Sequence, residues 1–385
     1  MRVRGTEDWI KQYKKYEYII DIFKKTAIKY GFSLAETSIL EFASLFNKSV
    51  GTDSDIVSKE MFYAQSAYKN DFDTVLRPEG TTSIIRACID QGVIHEKPLR
   101  LAYVGPMFRY NRPQFGRLRQ FHQMGCEILN DDEYISDVEM IIMLFEIFEK
   151  LQISTNLIKL HIYTLGNVEA LSKYIPIITS YLHENQHFLS ELNKQRLQGN
   201  IMRILDQLSA TEKANLADMP KLLDVLSNEE VLRFENICNL LQKLNISFVI
   251  DPFMVRGLDY YHHTVFEILY KEQAIAGGGC YDNLVEKLGG PSIKGKGWAI
   301  GLERILPLCQ INIEQQQDLL VIVSIDTPEE SLILAQKLRN QYSVLIIYDN
   351  MKKAIKRLNK IKPKYVVFYE LQEVKNNKYE IKQWS

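Results

Sequence analysis

The last part of the chain alternates regularly between apolar strand-like runs and helical patterns, and this alternation constrains the fold more than any other feature. The first helical pattern opens with T-P-E-E, a typical helix start with proline in the first turn. Strand–helix–strand–helix–strand over so short a stretch predicts a small α/β domain with parallel pairing. The apolar runs are residues 318–325, 343–348 and 365–369, and the helical patterns run from Thr327 to about Asn340 and from Lys352.

The rest of the chain places a helical segment between two strand-rich parts. Residues 165–245 are polar, punctuated by leucine and nearly free of glycine, which predicts a helical module. We therefore predict an α+β domain over residues 1–312 with a helical insertion at about 165–245, followed by the α/β domain at 318–385. The flanking helices are predicted at 16–31 and 137–151, and the strands near Leu76 and at 101–107, 120–129, 247–250 and 264–269.

Composition excludes several classes of protein. The 47 basic and 48 acidic residues give a net charge of −1, so no global field attracts nucleic acid or an anionic membrane. No apolar run reaches the roughly 18 residues that span a bilayer, and the charged N-terminus does not look like a signal peptide. The five cysteines contain no C-x-x-C pair, which favours reduced thiols. We expect a soluble cytoplasmic protein with no membrane partner.

One short pattern suggests a metal site. Residues 183–187 read H-E-x-x-H, the signature of zinc proteases, in which two histidines share a helix face. The flanks are polar, no third ligand is evident, and five-residue patterns arise by chance. We favour a solvated helix face and predict no metal held by the protein.

An arginine-rich segment is more informative. The run that follows it, residues 120–129, alternates like a strand, so Phe121, Gln123 and Glu127 share one face. Arginine forks bind phosphate oxygens, and an arginine loop beside a polar strand face suits a site for a nucleotide and a second ligand. A solvated cationic hairpin is the alternative. The arginines are Arg109, Arg112, Arg117 and Arg119.

Together with three further segments, this one resembles the histidyl-tRNA synthetases, a family of class II aminoacyl-tRNA synthetases. Each segment alone would be an ordinary turn or capped helix start, but four in the right order are specific. The resemblance begins at R-G-T-E-D, residues 4–8, and covers nearly the whole chain. The segments are L-R-P-E-G-T at 76–81, the motif 2 sequence FRYNRPQFGRLRQFHQMGCE at 108–127, R-G-L-D-Y-Y at 256–261, and the motif 3 sequence GWAIGLER at 297–304.

The resemblance implies an antiparallel sheet flanked by helices, with a helical insertion and a C-terminal α/β anticodon-binding domain. It implies a two-step reaction: L-histidine and ATP give histidyl-adenylate and pyrophosphate, and the histidyl group then passes to the 3′ end of tRNA(His). ATP implies Mg²⁺, although no aspartate cluster in the sequence identifies its ligands. A homodimer is implied as well.

Roles in ATP binding and catalysis follow from the same motifs. Arg109 is expected to hold the α-phosphate, and Arg256 to lie against it as charge develops there. Arg304 is expected at the distal end of ATP, with Arg117 and Phe121 also in the nucleotide site.

For histidine, the resemblance assigns the α-amino group to Glu79 and Thr81 and the carboxylate to Gln123. The imidazole is assigned to Glu127, Tyr260 and Tyr261. An imidazole has two ring nitrogens, and an acceptor with a hydroxyl can satisfy both. Such a site would leave buried polar groups unpaired with an apolar amino acid, which corresponds to rejection by roughly 10⁴-fold or more.

Two places are implied for tRNA contact. Arg112 and Gln114, in the motif 2 loop, are expected at the acceptor end. Residues 352–364 contain seven basic and no acidic side chains, among them Lys356 and Arg357. A solvated helix is the simpler interpretation of that segment alone. Beside a tRNA-binding domain it becomes a candidate for phosphate contacts.

The chain departs from the family pattern in places. Cys280 stands where the family usually has the arginine of A-G-G-R-Y-D, which removes a cation near the site, and Ser38 stands where motif 1 usually has proline. The family generally continues with another helix beyond the C-terminal strands, so the last domain is expected to be shortened. Two alternatives remain: a histidine-binding regulatory subunit of a biosynthetic transferase, and a catalytically dead tRNA-binding paralogue.

Overall fold

The computed structural model describes residues 1–51, 54–65, 73–112, 116–199, 201–255, 260–311, 317–376 and 378–384. Arg256 and Gln114, to which the sequence assigned roles, lie outside these residues. The chain divides into two units, Met1–Ile311 and Asn312–Ser385.

The first unit is built on helices that pack against a large sheet. Its helices are α1 (Tyr13–Lys29), α2 (Ala43–Val50), α3 (Thr81–Asp90), α4 (Tyr134–Lys150), α5 (Val168–Glu184), α6 (Glu191–Arg196), α7 (Met202–Asp206), α8 (Ala210–Asn215), α9 (Asn228–Lys243), α10 (Leu284–Lys287) and α11 (Leu302–Ile305). Its strands are β1 (Ser33–Ala35), β2 (Leu40–Phe42), β3 (Phe62–Tyr63), β4 (Thr74–Leu76), β5 (Leu99–Phe108), β6 (Gln120–Leu129), β7 (Ile158–Thr164), β8 (Phe248–Ile250), β9 (His262–Tyr270), β10 (Gln273–Cys280) and β11 (Gly295–Gly301).

Eight of these strands form one sheet in the order β1-β5-β6-β11-β10-β9-β7-β8. Every inner pair is antiparallel, and only the outermost pairs, β1–β5 and β7–β8, are parallel. A separate three-stranded sheet has the order β2-β4-β3. The predicted sheet flanked by helices is thus confirmed, with parallel edge pairs that the sequence did not predict.

The main core lies where α1 and α4 cover one face of the large sheet. Ile19, Phe23 and Ala27 of α1 recur at four-residue spacing and are fully buried, as expected for one face of a helix. They pack with Met124 and Ile128, which alternate on β6. Gln123 and Glu127, at the alternate positions of β6, therefore face the other side of the sheet, where the cleft lies.

The glycine-dense stretch from Gly277 to Gly301 is where the sequence reading was least complete. It was not predicted as strand, yet it supplies β10 and β11, two of the central strands. Glycine is disfavoured in strands unless another group approaches closely. Here one does: a Cβ at Gly278 would overlap the backbone of Gly297 and Trp298.

The residues between β7 and β8 are mostly helical, from α5 through α9. The H-E-x-x-H histidines do not share a helix face there. His183 lies in the last turn of α5, and His187 follows in a separate short 3₁₀ turn, Gln186–Phe188, where its ring contacts Phe188. Both histidines are exposed. Among the described residues, no group of three metal-ligating side chains is present.

The second unit is a small α/β fold. Its elements are β12 (Gln317–Ser324), α12 (Pro328–Leu338), β13 (Ser343–Tyr348), α13 (Met351–Ile361), β14 (Pro363–Tyr369), α14 (Leu371–Lys375) and β15 (Lys382–Gln383). The strand order is β13-β12-β14-β15, and β12 pairs in parallel with both β13 and β14. The predicted α/β alternation with parallel strands is confirmed. No helix in the described parts of either unit is long and apolar enough to span a bilayer.

Candidate active site

A cleft of about 420 Å³ opens over the face of the large sheet formed by β6, β11 and β10. Glycines on the inner strands, which have no side chain to fill the cleft, form part of its floor; among them are Gly277 and Gly297. The structure brings most of the predicted site residues together here. Those that line the cleft are Glu79, Thr81, Arg109, Arg117, Phe121, Gln123, Glu127, Tyr260, Tyr261 and Arg304.

Glu127 is a buried carboxylate of the cleft, with 1% of its surface exposed. Its Oε1 accepts a hydrogen bond from the Thr81 hydroxyl at 2.7 Å, and its Oε2 accepts one from the Tyr281 hydroxyl at 2.6 Å. Burial raises the pKa of Glu127 to about 8, although both hydroxyls lower it. Burial of Glu127 in the free protein therefore favours the protonated form over the carboxylate.

Gly297 makes this placement of Glu127 possible. The two residues are direct partners across β6 and β11. A Cβ at position 297 would overlap the carboxylate of Glu127. Any larger residue at this position of the motif 3 segment would therefore clash with Glu127.

Tyrosines surround the carboxylate. The rings of Tyr260 and Tyr261 lie 4.7 Å apart, and Tyr281 meets the Tyr260 ring edge-on at 5.8 Å. Tyr103 packs behind them, and a Cβ at Gly125 would overlap its ring. Burial raises the pKa of Tyr103, Tyr260 and Tyr281 well above that of an ordinary tyrosine, so each hydroxyl stays protonated and can donate.

Sequence reasoning missed Tyr281 and Tyr103 as site residues. The sequence singled out only Cys280 in this segment, the residue directly before Tyr281. A signal was present in the run of glycines at 277–279, because glycine within a strand indicates that another group approaches closely. The backbone N–H of Tyr281 donates to the Gly295 carbonyl at 2.7 Å, which directs its ring under β11.

Glu79 and Gln123 lie at the end of the cleft next to α3. The two oxygens of Glu79 accept from the backbone N–H groups of Thr81 and Thr82, at 2.7 and 2.9 Å. A carboxylate at a helix N-terminus is stabilised by the unpaired N–H groups there. Gln123 accepts from the Gly80 N–H at 3.1 Å. Both side chains are therefore held in fixed positions at the cleft wall.

Arg109 is a half-buried arginine of the cleft. Its Nε donates to the Pro78 carbonyl at 2.8 Å, and its guanidinium lies over the Phe121 ring at 5.5 Å. Burial lowers its pKa, and Glu60 opposes that shift. Because arginine remains charged in proteins, the cleft holds a fixed cation whose remaining N–H groups can bind an anion.

Arg304 and Arg117, which the sequence predicts to bind the nucleotide, both line the cleft. Arg304 donates through Nε to the Gly116 carbonyl at 3.1 Å, which ties the end of the motif 2 loop to α11. Arg117 is exposed. Glu303 faces the same cleft and accepts from the backbone N–H of His122 at 2.9 Å. Arg112 is exposed and is not among the residues that line the cleft.

Cys280 faces away from the cleft and is buried. Its thiol donates to Oδ2 of Asp137 at 3.6 Å, and burial, followed by Asp137, raises its pKa to about 12. Two cations pair with that carboxylate: Lys296 at 2.7 Å and Arg233 at 3.1 Å. Position 280 lacks the arginine of the family pattern, but positive charge is present around it.

Two carboxylates in the cleft fit the donors that a nucleotide-bound magnesium ion would need. Mg²⁺ in nucleotide sites is usually held by one or two carboxylates together with phosphates and waters. Glu267 and Glu303 are carboxylates that line the cleft. They are the residues that would face such an ion.

Comparisons with known proteins agree on one family. The family model described as histidyl-tRNA synthetase matches residues 7–305. A histidine–tRNA ligase of Prochlorococcus marinus is 36% identical over 99% of this chain and 90% of its own length. One from Buchnera aphidicola is 36% identical over 97% and 91%.

Solved structures give the same answer for the fold. The apo histidyl-tRNA synthetase of S. aureus has a TM-score of 0.79 at 28% identity and covers all of this chain and 94% of its own. A Bacillus halodurans structure, described as an ATP phosphoribosyltransferase regulatory subunit/histidyl-tRNA synthetase, has a TM-score of 0.68 at 21% identity, which shows a shared fold alone. From the family match, the relatives and the cleft together, the chain belongs to the histidyl-tRNA synthetase family.

Proposed function

We propose that this protein is a histidine–tRNA ligase, which activates L-histidine with ATP and transfers it to the 3′ end of tRNA(His). The observation that carries the proposal is the buried Glu127 carboxylate, held between the hydroxyls of Thr81 and Tyr281 in the same cleft as Arg109. A polar recess and a fixed cation are what an imidazole and a phosphate require.

The recess at Glu127 recognises the imidazole. Glu127 faces one ring nitrogen, and a hydroxyl of the surrounding tyrosines serves the other. An apolar amino acid of similar size would leave these buried groups without partners, and that cost excludes it. Glu79 and Thr81 bind the α-amino group, and Gln123 lies near the carboxylate.

In the first step, a carboxylate oxygen of histidine attacks the α-phosphorus of ATP and pyrophosphate leaves. Arg109 stabilises the charge that grows on the α-phosphate, because it is already fixed by Pro78 and Phe121 and needs no rearrangement. Arg256 shares this role, Arg304 holds the distal phosphates, and Arg117 lies beside them. Mg²⁺, when bound with ATP, neutralises phosphate charge.

In the second step, the terminal adenosine of tRNA(His) takes the histidyl group and AMP leaves. Arg112 and Gln114 contact the acceptor end. Lys356 and Arg357, on the exposed face of α13, contact phosphates elsewhere on the tRNA. Residues 1–312 act as the catalytic domain in this scheme, and residues 318–385 as the anticodon-binding domain.

We also propose a homodimer in the cytoplasm. The small sheet β2-β4-β3 exposes apolar side chains, with Leu40 54%, Phe42 65% and Tyr63 52% accessible. An apolar face of this kind fits an interface between copies of the chain. Phe42→Glu should convert a dimer to monomers in light scattering, and a wild-type monomer would refute the dimer.

ATP–pyrophosphate exchange, run with each standard amino acid in turn, tests the proposed function. Exchange that depends on histidine alone supports it. A folded protein that exchanges with none of them excludes the ligase and favours the regulatory or RNA-binding alternative.

A further inference from the structure

A buried group of charged and polar side chains lies behind the cleft and takes no part in the chemistry proposed above. Asp137 of α4 is its centre, and 4% of the residue is exposed. Lys296 pairs with its Oδ1 at 2.7 Å, while three donors converge on its Oδ2. These are Arg233 at 3.1 Å, the Thr264 hydroxyl at 2.9 Å and the Cys280 thiol at 3.6 Å. We call these five residues the Asp137 cluster.

The cluster joins elements that are far apart in the sequence. Thr264, Cys280 and Lys296 belong to β9, β10 and β11, and Arg233 belongs to α9. Lys296 also donates to the Glu133 carbonyl and to the Ser136 hydroxyl, both at 2.7 Å, at the start of α4. One carboxylate therefore fixes three neighbouring strands and a second helix against α4.

Strand register places the cluster directly behind the histidine recess. Glu127 and Gly297 are partners across β6 and β11, and the adjacent pair is Ile128 and Lys296. Successive residues of a strand point to opposite faces, so Lys296 is the neighbour of Gly297 on the far side of the sheet. Cys280 pairs with Lys296 and directly precedes Tyr281, whose hydroxyl holds Glu127.

Because of this register, any shift of β10 or β11 moves the groups around Glu127. β10 ends at Cys280 and β11 begins at Gly295, so the cluster clamps the two strands near their ends. Backbone pairing alone leaves strand ends free to separate, whereas a buried carboxylate with several donors holds them.

We propose that the Asp137 cluster is a positioning device for histidine: it fixes β10 and β11 so that Tyr281 and Gly297 hold Glu127 where the imidazole binds. Arg233 is part of this device, and through Arg233 the device links α9 to the recess around Glu127. The inference rests on the proposed function, since it names what orients the site of that reaction.

The test is histidine affinity by calorimetry, with the separate KM values for histidine and ATP in pyrophosphate exchange. Arg233→Met removes one donor from a half-buried position and should weaken histidine binding by about 10-fold, because small displacements of positioning groups have effects of that order or more. kcat and the KM for ATP should change little. Arg233→Lys, which keeps the charge, should recover most of the affinity.

Arg100→Met is the matched control. Arg100 pairs at 2.7 Å with Glu139 of α4, the helix that carries Asp137. The side chain of Arg100 is 20% exposed, against 21% for Arg233. It holds α4 without touching the cluster, so histidine affinity should stay at the wild-type value. Thr264→Val is a milder second variant from inside the cluster, with a smaller loss expected in the same direction.

The outcomes separate the two proposals. Wild-type protein that binds no histidine refutes the proposed function and this inference together. Wild-type protein that binds histidine, with unchanged affinity in folded Arg233→Met and Thr264→Val, refutes the inference alone. Two results would overturn the positioning role and mean that the cluster only stabilises the fold. One is an equal increase in the KM values for histidine and ATP; the other is an equal loss of histidine affinity in Arg100→Met.

Discussion

The large sheet of the first unit and the sheet of the second unit differ in where charged side chains lie. The large sheet of the first unit buries Glu127 and Lys296 on its two faces, with Asp137 packed against it. In the described part of the second unit, the buried polar residues are Ser324, Thr327 and Ser331, all of them uncharged hydroxyls. The basic residues of α13 in that unit lie on the exposed face of the helix.

The difference reflects what each surface has to do. Burying charge is costly, so it persists where fixed, desolvated groups are needed to recognise a small ligand or stabilise a transition state. Exposed lysines cost little and attract a polyanion through many weak contacts. Variants of the first unit should therefore change steps of the chemistry, and variants of α13 should change only the binding of nucleic acid.

Arg109→Ala should have the largest effect. Removing a fixed electrostatic contact to the transition state typically lowers the rate by about 10²- to 10³-fold. Histidine-dependent pyrophosphate exchange should fall by that order, while tRNA binding by filter assay stays near the wild-type value. Arg119→Ala is the control, since Arg119 lies over the Tyr110 ring at 3.8 Å and does not line the cleft. Equal losses in both variants would contradict the role of Arg109.

Glu127→Gln should make the free protein more stable than the wild type, by an amount that grows as the pH rises. The folded-state pKa of Glu127 is about 8, above the ordinary 4.5, so between those values the folded state binds more protons than the unfolded state. The free energy of unfolding of the wild type therefore falls as pH rises through that window. The variant cannot undergo this loss. At pH 8 its free energy of unfolding should exceed that of the wild type by on the order of 2 kcal/mol, which is about 1.4 kcal/mol per pKa unit less the cost of burying the amide.

Urea denaturation of both proteins at pH 5, 6.5 and 8 measures this effect. The difference in the free energy of unfolding should be small at pH 5 and grow with pH. A difference that does not depend on pH would mean that Glu127 is ionised in the free cleft. Histidine binding should weaken in the variant, since the amide cannot ionise to the carboxylate that accepts from the imidazole.

Tyr281→Phe should give a loss specific to histidine. It removes one hydroxyl that donates to Glu127 at 2.6 Å and leaves the ring in place. A hydrogen bond to a charged or buried group is worth roughly 1 to 2 kcal/mol, so the KM for histidine should rise about 10-fold. The KM for ATP should hold steady. A change in the KM for ATP alone would place Tyr281 in the nucleotide site instead.

The sequence predicted the polar face of β6 well, because alternation along one strand decides which side chains share a face. Gln123 and Glu127 do lie in one cleft with Arg109. Those inferences needed only local spacing and the chemistry of the side chains. The same holds for the α/β alternation of the second unit, where each apolar run became a strand.

What the sequence could not predict depends on pairing between distant segments. The sequence predicts only that Asp137 begins a helical pattern, at 137–151, whereas in the structure Asp137 accepts from donors on β9, β10, β11 and α9. Cys280 was interpreted as a missing cation, but Arg233 and Lys296 come from other elements to the same carboxylate. No periodicity in one segment carries this information.

The second unit supplies the smallest expected effect and the sharpest test of the comparison. Asn350 caps α13 by accepting from the Lys353 N–H at 3.1 Å, and Ala354 and Leu358 anchor the helix, so its basic side chains face water. Alanine at both Lys356 and Arg357 should weaken tRNA binding several-fold. It should also reduce the slope of log affinity against log salt by roughly one to two, because each phosphate contact contributes about 0.7 to 0.9.

Adenylation should be unaffected, since these side chains lie on an exposed helix in the second unit and bury no charge. The double variant of Lys337 and Arg339 to alanine is the control, because it removes the same charge from the end of α12, where both side chains are exposed. If both double variants weaken tRNA binding equally, the attraction comes from net charge and α13 is no specific surface. If the α13 variant loses adenylation, the basic face of α13 has a structural role. In that case buried charge would not be specific to the chemistry, nor exposed charge to tRNA binding.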